Sequence, residues 1–281
     1  MNLSVETYVP RKYYDDAAAM NMIREAGFDG VDLSFYWASA ENNLLGDDYR
    51  ERAQAMKTLL RENKLQCRQT HAPFDFRYGE AMDFSNLHYL EIVRSIEFSA
   101  LLGAKQIIIH GIKVPEGARS EESLVYNYQY YQSFGPFCRE FDIQIGVENL
   151  ITSVFPEPQY LNRMLSMLDS PYYIACIDLG HAIIAGTAPE DYLQRVLPGK
   201  IQGLHVHDND GKTDEHMLPY IGVLNWEAIV KALADIRYTG DFTLEIYRFL
   251  DNFDAALLGD ALAFSAKVGR YLMDKLEKSR R

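Results

Sequence analysis

The stretch LHYLEIVRSIEFSALLGAKQIIIH, residues 87–110, carries one full structural period of the chain. Its first part spaces apolar residues at helical intervals and stops at Gly103, a residue suited to a helix end. The QIIIH that follows is a short apolar run closed by a polar residue. Such a run reads as a strand covered on both faces, with a side chain of different chemistry at its end.

The same alternation recurs on both sides of this stretch. Strands are expected at LSVET (3–7), GVDLSF (30–35), QCRQTH (66–71), QIIIH (106–110), QIGVEN (144–149), YIACID (173–178), GLHVHD (203–208) and DFTLEIY (241–247). Helical patterns lie between them. They include YRERAQAMKTLLREN (49–63), NWEAIVKALADI (225–236) with Asn225 as N-cap, and a closing helix from about Asp254 to Leu276. Repeated βα units favour parallel strands joined by right-handed crossovers. Eight of them predict an α/β fold with one (β/α)8 barrel domain spanning residues 1–281. A doubly wound open sheet is the alternative, but no GxGxxG loop follows the first strand.

Bulk composition narrows the class. The 281 residues are 48% apolar and 24% charged, ordinary values for a globular protein with a sizeable core. A net charge of −12 argues against nucleic acid or an anionic membrane surface as the organising partner. Three scattered cysteines without CxxC spacing, and no export-signal pattern at the N-terminus, predict a cytoplasmic protein. No apolar run is long enough to span a membrane.

In such barrels the chemistry sits at the C-terminal ends of the strands. Those ends are unusually polar here. His71 closes the third strand and His110 the fourth, with Glu148, Asp178, His205 and Glu245 on the next four. Successive members are one βα unit apart, as a ring around a barrel mouth requires. Imidazole and carboxylate are the ligands of Zn²⁺, Mn²⁺ and related ions. A cation would also offset the cost of burying these carboxylates together. Trp37, just after the second strand, is placed to line the pocket.

Several residues read more plainly. His88 lies on a helix and reads as a surface or interface residue, and the aromatics of YNYQYYQSFGPF (126–137) read as helix packing. Glu6 reads as a substrate contact or a structural acid, and Asp169 and Asp191 as solvated helix-end acids. The loop HDNDGKTDEH (207–216) begins like a calcium loop, yet the closing position, counted from Asp208, is Pro219.

The motifs THAPF (70–74), IIIHG (107–111), GVEN (146–149), IDLGHA (177–182), LHVHDNDGKTDEH (204–216) and TLEIY (243–247) follow in order along nearly the whole chain. In this arrangement the chain resembles the xylose isomerase-like TIM barrels. That superfamily includes sugar and sugar phosphate isomerases, ketose 3-epimerases, inosose-processing enzymes and endonuclease IV. The resemblance to the single-metal members implies Glu148, Asp178, His205 and Glu245 as metal ligands, with His207 as the alternative to His205. It implies Glu148 and Glu245 as the acid–base pair, and His181 as a contact to a substrate hydroxyl or carbonyl oxygen. The implied cofactor is Mn²⁺, Zn²⁺ or Co²⁺, the implied substrate a small sugar or sugar phosphate, and a homodimer is the family-level expectation.

The resemblance to endonuclease IV implies more. There an Asp-x-His element after strand seven joins a three-zinc cluster. Asp214-Glu215-His216 has that form, and His71, His110 and His181 match further ligands. More than one ion is then implied, and a multi-zinc phosphoesterase becomes the alternative function. The strand-end loops carry no Lys/Arg cluster of the kind that grips DNA; Lys113, Arg119, Lys212 and Arg248 are scattered. The run MLPYIGVLNW (217–226) is similar to the P-x-x-G-x-x-x-W run of the sugar isomerases. An isomerase or epimerase therefore ranks first, the phosphoesterase second, and a non-enzymatic sugar-binding barrel third. Lyases and C-glycoside-cleaving relatives stay open.

Overall fold

Eight parallel strands close on themselves in sequence order, β1 Leu3–Glu6, β2 Gly30–Ser34, β3 Gln66–His71, β4 Gln106–Ile109, β5 Gln144–Glu148, β6 Tyr173–Asp178, β7 Ile201–Val206 and β8 Phe242–Leu244. This computed structural model describes residues 1–36, 43–74, 83, 85–113, 120–151 and 155–280. The barrel is sealed by pairing of β1 with β8, Ser4 opposite Thr243.

Strand parity sorts the side chains. Val5, Val31, Leu33, Ile107, Ile109, Ile145, Val147, Ile177, Leu204, Val206 and Leu244 belong to the continuous apolar core that joins the barrel to its helices. Alternate positions, among them Asp32, Gln69, Gln106, Glu148, Asp178 and His205, are buried and polar and meet one another inside the barrel. Where that interior narrows, a side chain is missing. A Cβ at Gly146 would collide with Ile108 Cδ1 of the neighbouring strand.

The outer layer follows the apolar spacing. The helix Leu87–Leu102 starts at Asn86, whose side chain accepts from the His88 amide at 2.9 Å. It ends at Gly103, whose φ of 89° is costly for any residue with a Cβ. Asn225 caps Trp226–Asp235 through the Ala228 amide. The last helix, Leu258–Ser279, runs three residues beyond the expected Leu276. His88 stands half-exposed on its helix, while Tyr130, Tyr131 and Phe134 pack into the core. Among the described residues no helix is long and apolar enough to cross a membrane. Cys67, Cys138 and Cys176 are buried and unpaired.

β3 and β6 match the expected ranges, β1, β2, β4 and β5 end one residue early, and two strands differ more. β7 begins at Ile201, and β8 has only three residues, so Glu245 follows the strand instead of lying within it. Its amide still donates to Val206 O at 3.1 Å, which holds it to the barrel rim.

Candidate metal centre

Glu148 and Asp178 are held to each other through the backbone. Asn149, next to Glu148, donates from Nδ2 to Asp178 O at 2.9 Å and accepts from the Asp178 amide at 2.8 Å. Its own carbonyl accepts from His181 Nδ1 at 2.9 Å. Asp178 also caps the short helix Leu179–Ile184 by accepting the His181 amide at 2.6 Å. One asparagine and one helix start thereby fix three of the expected site residues.

His205 and His207 both come to the site, by the alternation of β7. His205 Nδ1 lies 3.1 Å from Glu148 Oε1 and 3.2 Å from Glu245 Oε2. His207 Nε2 lies 3.0 Å from each oxygen of Asp178. The sequence offered them as alternatives for one position; they occupy two.

The loop after β7 folds back over the barrel. Asp208 is its anchor, fully buried, accepting from the amides of Asn209, Tyr220 and Leu224 and from Trp226 Nε1 at 2.8–3.1 Å. With both oxygens so engaged it is no calcium ligand. His216 takes the left-handed region, φ 42°, which is strained for a residue with a side chain. This turn sets its ring against His207, centroids 3.9 Å apart. Its Nε2 then lies 3.0 Å from Asp214 Oδ1, while His181 Nε2 is 3.5 Å from Asp214 Oδ2.

His71 and His110 complete the ring. Their Nε2 atoms are 3.1 Å apart and lie 3.6 and 2.9 Å from Glu148 Oε2. Ligand atoms therefore gather into linked groups, each within 4.8 Å: Glu148, Asp178, His205 and Glu245; His71, His110 and Glu148; His71, His205 and Glu245; and His181, His207, Asp214 and His216.

Proton positions show what these groups suit. His71, His181 and His216 each contact a backbone carbonyl through Nδ1 at 2.9 Å, to Ala72, Asn149 and Glu245 respectively. A carbonyl only accepts, so each Nδ1 carries a proton, and each ring faces the site through its Nε2. Carbonyl-oriented histidines of this kind are the usual support of metal ligands. Three carboxylate oxygens of the site, Glu148 Oε2, Asp214 Oδ1 and Glu245 Oε2, are buried without a hydrogen-bond partner. Buried carboxylate oxygens without a hydrogen-bond partner are a poor arrangement by themselves and a good one around a cation. The donor set of nitrogen and carboxylate oxygen fits Zn²⁺, Mn²⁺ or Co²⁺.

Electrostatics separate the two glutamates. Burial would raise Glu148, but the His205 and His110 imidazoles outweigh it and hold the carboxyl well below the usual range. Burial pushes Glu245 well above that range, against the pull of His205. His181 and His207 overcome burial at Asp178 and bring it down to about 2. Burial and nearby His207 lower His216 to about 4, which keeps it neutral. At the edge, burial lifts Glu6 to about 8, and its Oε1 accepts the Tyr8 amide at 2.5 Å. That is a satisfied structural acid, one of its two expected readings.

An aromatic wall stands on one side. Tyr36 stacks on Phe74 with centroids 5.1 Å apart, and Phe74 packs edge-on to His71 and tilted on His110. Trp37, expected to line the pocket, lies outside the described residues, as does Arg119. A cavity of about 790 Å³ opens at the opposite, N-terminal end of the barrel, lined by Arg68, Lys105, Gln144 and Asp241 among others. It contains none of the imidazoles, which gather at the other mouth.

The sequence reading missed Asp32, Gln69 and Asn149. Asp32 had a signal, an acid in the middle of the otherwise apolar GVDLS strand. Asn149 lay within a quoted motif without a role.

Close packing gives a test of the second group. A Cβ at Gly180 would overlap the His207 ring. Gly180→Ala should push His207 from Asp178 and weaken divalent-metal binding by about 10-fold or more, read by metal titration. Unchanged affinity would place His207 outside the centre.

The family model described as xylose isomerase-like TIM barrel matches residues 20–267. The chain belongs to that family. It is 26% identical over 264 residues to an uncharacterized protein of Sinorhizobium fredii, covering 83% of this chain and 82% of the relative. Among solved structures it is similar to a D-tagatose 3-epimerase-like protein, with a TM-score of 0.79, 20% identity and 99% of each chain covered. It is also similar to the 3-keto-D-glucoside 4-epimerase of E. coli, with a TM-score of 0.75, 16% identity, and 94% of this chain and 99% of that one covered.

Proposed function

We propose that this protein is a divalent-metal-dependent isomerase or epimerase of a small sugar or sugar phosphate. One observation carries the reading. Two glutamates, the buried Glu148 at the end of strand five and Glu245 just after strand eight, approach the same imidazole nitrogen, His205 Nδ1, at 3.1 and 3.2 Å. The family supports the class, and the two similar solved structures are an epimerase-like protein and an epimerase by their names.

Sugar isomerisation and epimerisation both begin with loss of a proton from a carbon next to a carbonyl, giving an enediolate. One carboxylate accepts that proton and the other returns one. Return to the same carbon from the other face inverts it; return to the neighbouring carbon moves the carbonyl. Glu148 and Glu245 are the residues for these transfers. Glu148, Asp178, His205 and Glu245 would also hold a divalent ion, which supplies positive charge to the substrate oxygens. His181 serves as a contact for a substrate hydroxyl or carbonyl oxygen. The wall of Tyr36 and Phe74 offers an apolar face to the sugar carbons and keeps water from them.

The test is solvent-deuterium incorporation into a panel of ketoses and ketose phosphates. Exchange at the carbon next to the carbonyl is expected with at least one of them. A protein loaded with Mn²⁺, Co²⁺ or Zn²⁺ that exchanges none of the panel contradicts the reading.

A second reading has its own observation. His181, His207, Asp214 and His216 form a ligand group that a single-ion epimerase does not need. With two or three Zn²⁺ bound, the centre suits phosphoester hydrolysis. Asp214→Ala combined with His216→Ala decides between them: on the isomerase reading one ion and the exchange activity survive. Loss of all bound metal, or a fall from three ions with loss of phosphoesterase activity, favours the hydrolase.

A further inference from the structure

A line of hydrogen bonds runs along the barrel interior, from the N-terminal end to the candidate metal centre. Gln106 Nε2 donates to Gln202 O at 3.3 Å and to Gln69 Oε1 at 2.6 Å. Gln69 Nε2 donates to Asp32 Oδ2 at 2.6 Å. His205 Nε2 reaches the same oxygen at 3.3 Å, and its Nδ1 faces Glu148 and Glu245. Asp32, Gln69 and Gln106 are lateral neighbours on β2, β3 and β4, all within a buried polar layer.

The direction of every bond in this line follows from its first member. Gln202 O is a backbone carbonyl and can only accept, so Gln106 must turn its NH₂ toward it. That same NH₂ meets Gln69, which must present oxygen. Gln69 therefore points its own NH₂ at Asp32, which accepts. The carboxylate then accepts again from His205, so Nε2 of the ring carries a proton. The only nitrogen left to offer a lone pair is Nδ1, the one between the two glutamates.

We propose that Asp32 is a positioning residue that holds the Nε2 proton of His205 and so presents Nδ1 to the centre, with Gln69 and Gln106 setting the orientation of Asp32. The proposal rests on His205 being a metal ligand, but not on which reaction the centre performs. Carboxylates behind metal-bound histidines orient the ring and raise its basicity, and their loss costs about 10–100-fold in metal affinity. A structural role alone would be met equally well by asparagine. Function would not, because an asparagine oxygen in place of Oδ2 can still accept from both Gln69 and His205 but lacks the negative charge that raises the basicity of the ring.

The test compares the whole protein with Asp32→Asn. Metal-free protein is titrated with Mn²⁺, following the binding step that Glu245→Gln weakens. Zn²⁺-loaded protein carrying ¹⁵N-histidine gives the bonding of each ring nitrogen, with His205 assigned by His205→Gln. The expected wild-type spectrum has His205 bound through Nδ1, with a downfield, exchange-protected Nε2 proton. Asp32→Asn should weaken the Mn²⁺ step about 10–100-fold and move or lose that proton signal, with the unfolding midpoint little changed. Gln69→Met leaves Asp32 in place but unaimed, and should weaken the same step in the same direction. Wild-type His205 bound through Nε2 overturns the proposal, and this needs no variant to fold. A folded Asp32→Asn protein with unchanged affinity and an unchanged Nε2 proton also overturns it.

Discussion

Glu148→Gln and Glu245→Gln should each slow proton exchange at the sugar carbon by ~10²–10⁴-fold, the usual contribution of a positioned acid or base. The substitution keeps volume and shape and removes only the ability to take a proton. Glu148 is buried and Glu245 only slightly exposed, and a nearly isosteric change leaves no cavity at either. The fold should tolerate it. In the metal-free protein burial already pushes the Glu245 carboxyl well above its usual range, so losing that charge costs little, whereas His205 and His110 hold Glu148 charged and the unfolding midpoint of its variant is measured as well. Both glutamates are also expected ligands, so metal content must be measured beside the exchange rate. A variant that keeps its ion and loses exchange isolates the proton-transfer role. Wild-type exchange in either metal-loaded variant sinks the two-carboxylate mechanism.

Asp208→Ala should have the largest effect on stability and should take the loop with it. The Asp208 carboxylate satisfies three backbone amides and the Trp226 indole inside the protein. Buried donors left without a partner cost about 1–3 kcal/mol each, so a loss of about 3 kcal/mol or more is expected. The loop from Asn209 to Trp226 then loses its tie to β7, and with it the left-handed turn that aims His216. Metal bound by His181, His207, Asp214 and His216 should fall away, while the group around Glu148 and Glu245 persists. Chemical denaturation followed with metal analysis reads both effects. A loss below about 1 kcal/mol would mean that other contacts hold the loop.

Most of the site was legible because a barrel repeats. One polar residue per βα unit, at the end of each strand, was enough to place His71, His110, Glu148, Asp178, His205 and Glu245 in one mouth. The Asp-x-His element was legible as a unit, since Asp214 and His216 lie close together in the sequence. What was not legible depends on register. Pairing between β2 and β3 shifts between Gly30 and Asp32, and that between β6 and β7 shifts between Ala175 and Cys176. Periodicity says that Asp32 and Gln69 face inward. It does not say that they stand side by side under His205. Nor could alternation separate His205 from His207, since both face inward. Only the different depths of their partners, Glu148 and Glu245 against Asp178, divide them. The shortness of β8 was hidden for a related reason. DFTLEIY keeps its strand-like composition beyond Leu244, where the chain turns into the helix Tyr247–Asp251.

The most direct measurement is metal content per chain, by elemental analysis of protein purified without chelators, for the wild type and for Glu245→Gln. The account predicts at least one Mn²⁺, Co²⁺ or Zn²⁺ per wild-type chain, and a loss of one ion or a clear fall in affinity in the variant. A wild-type protein that stays free of divalent metal even after incubation with all three ions would contradict it.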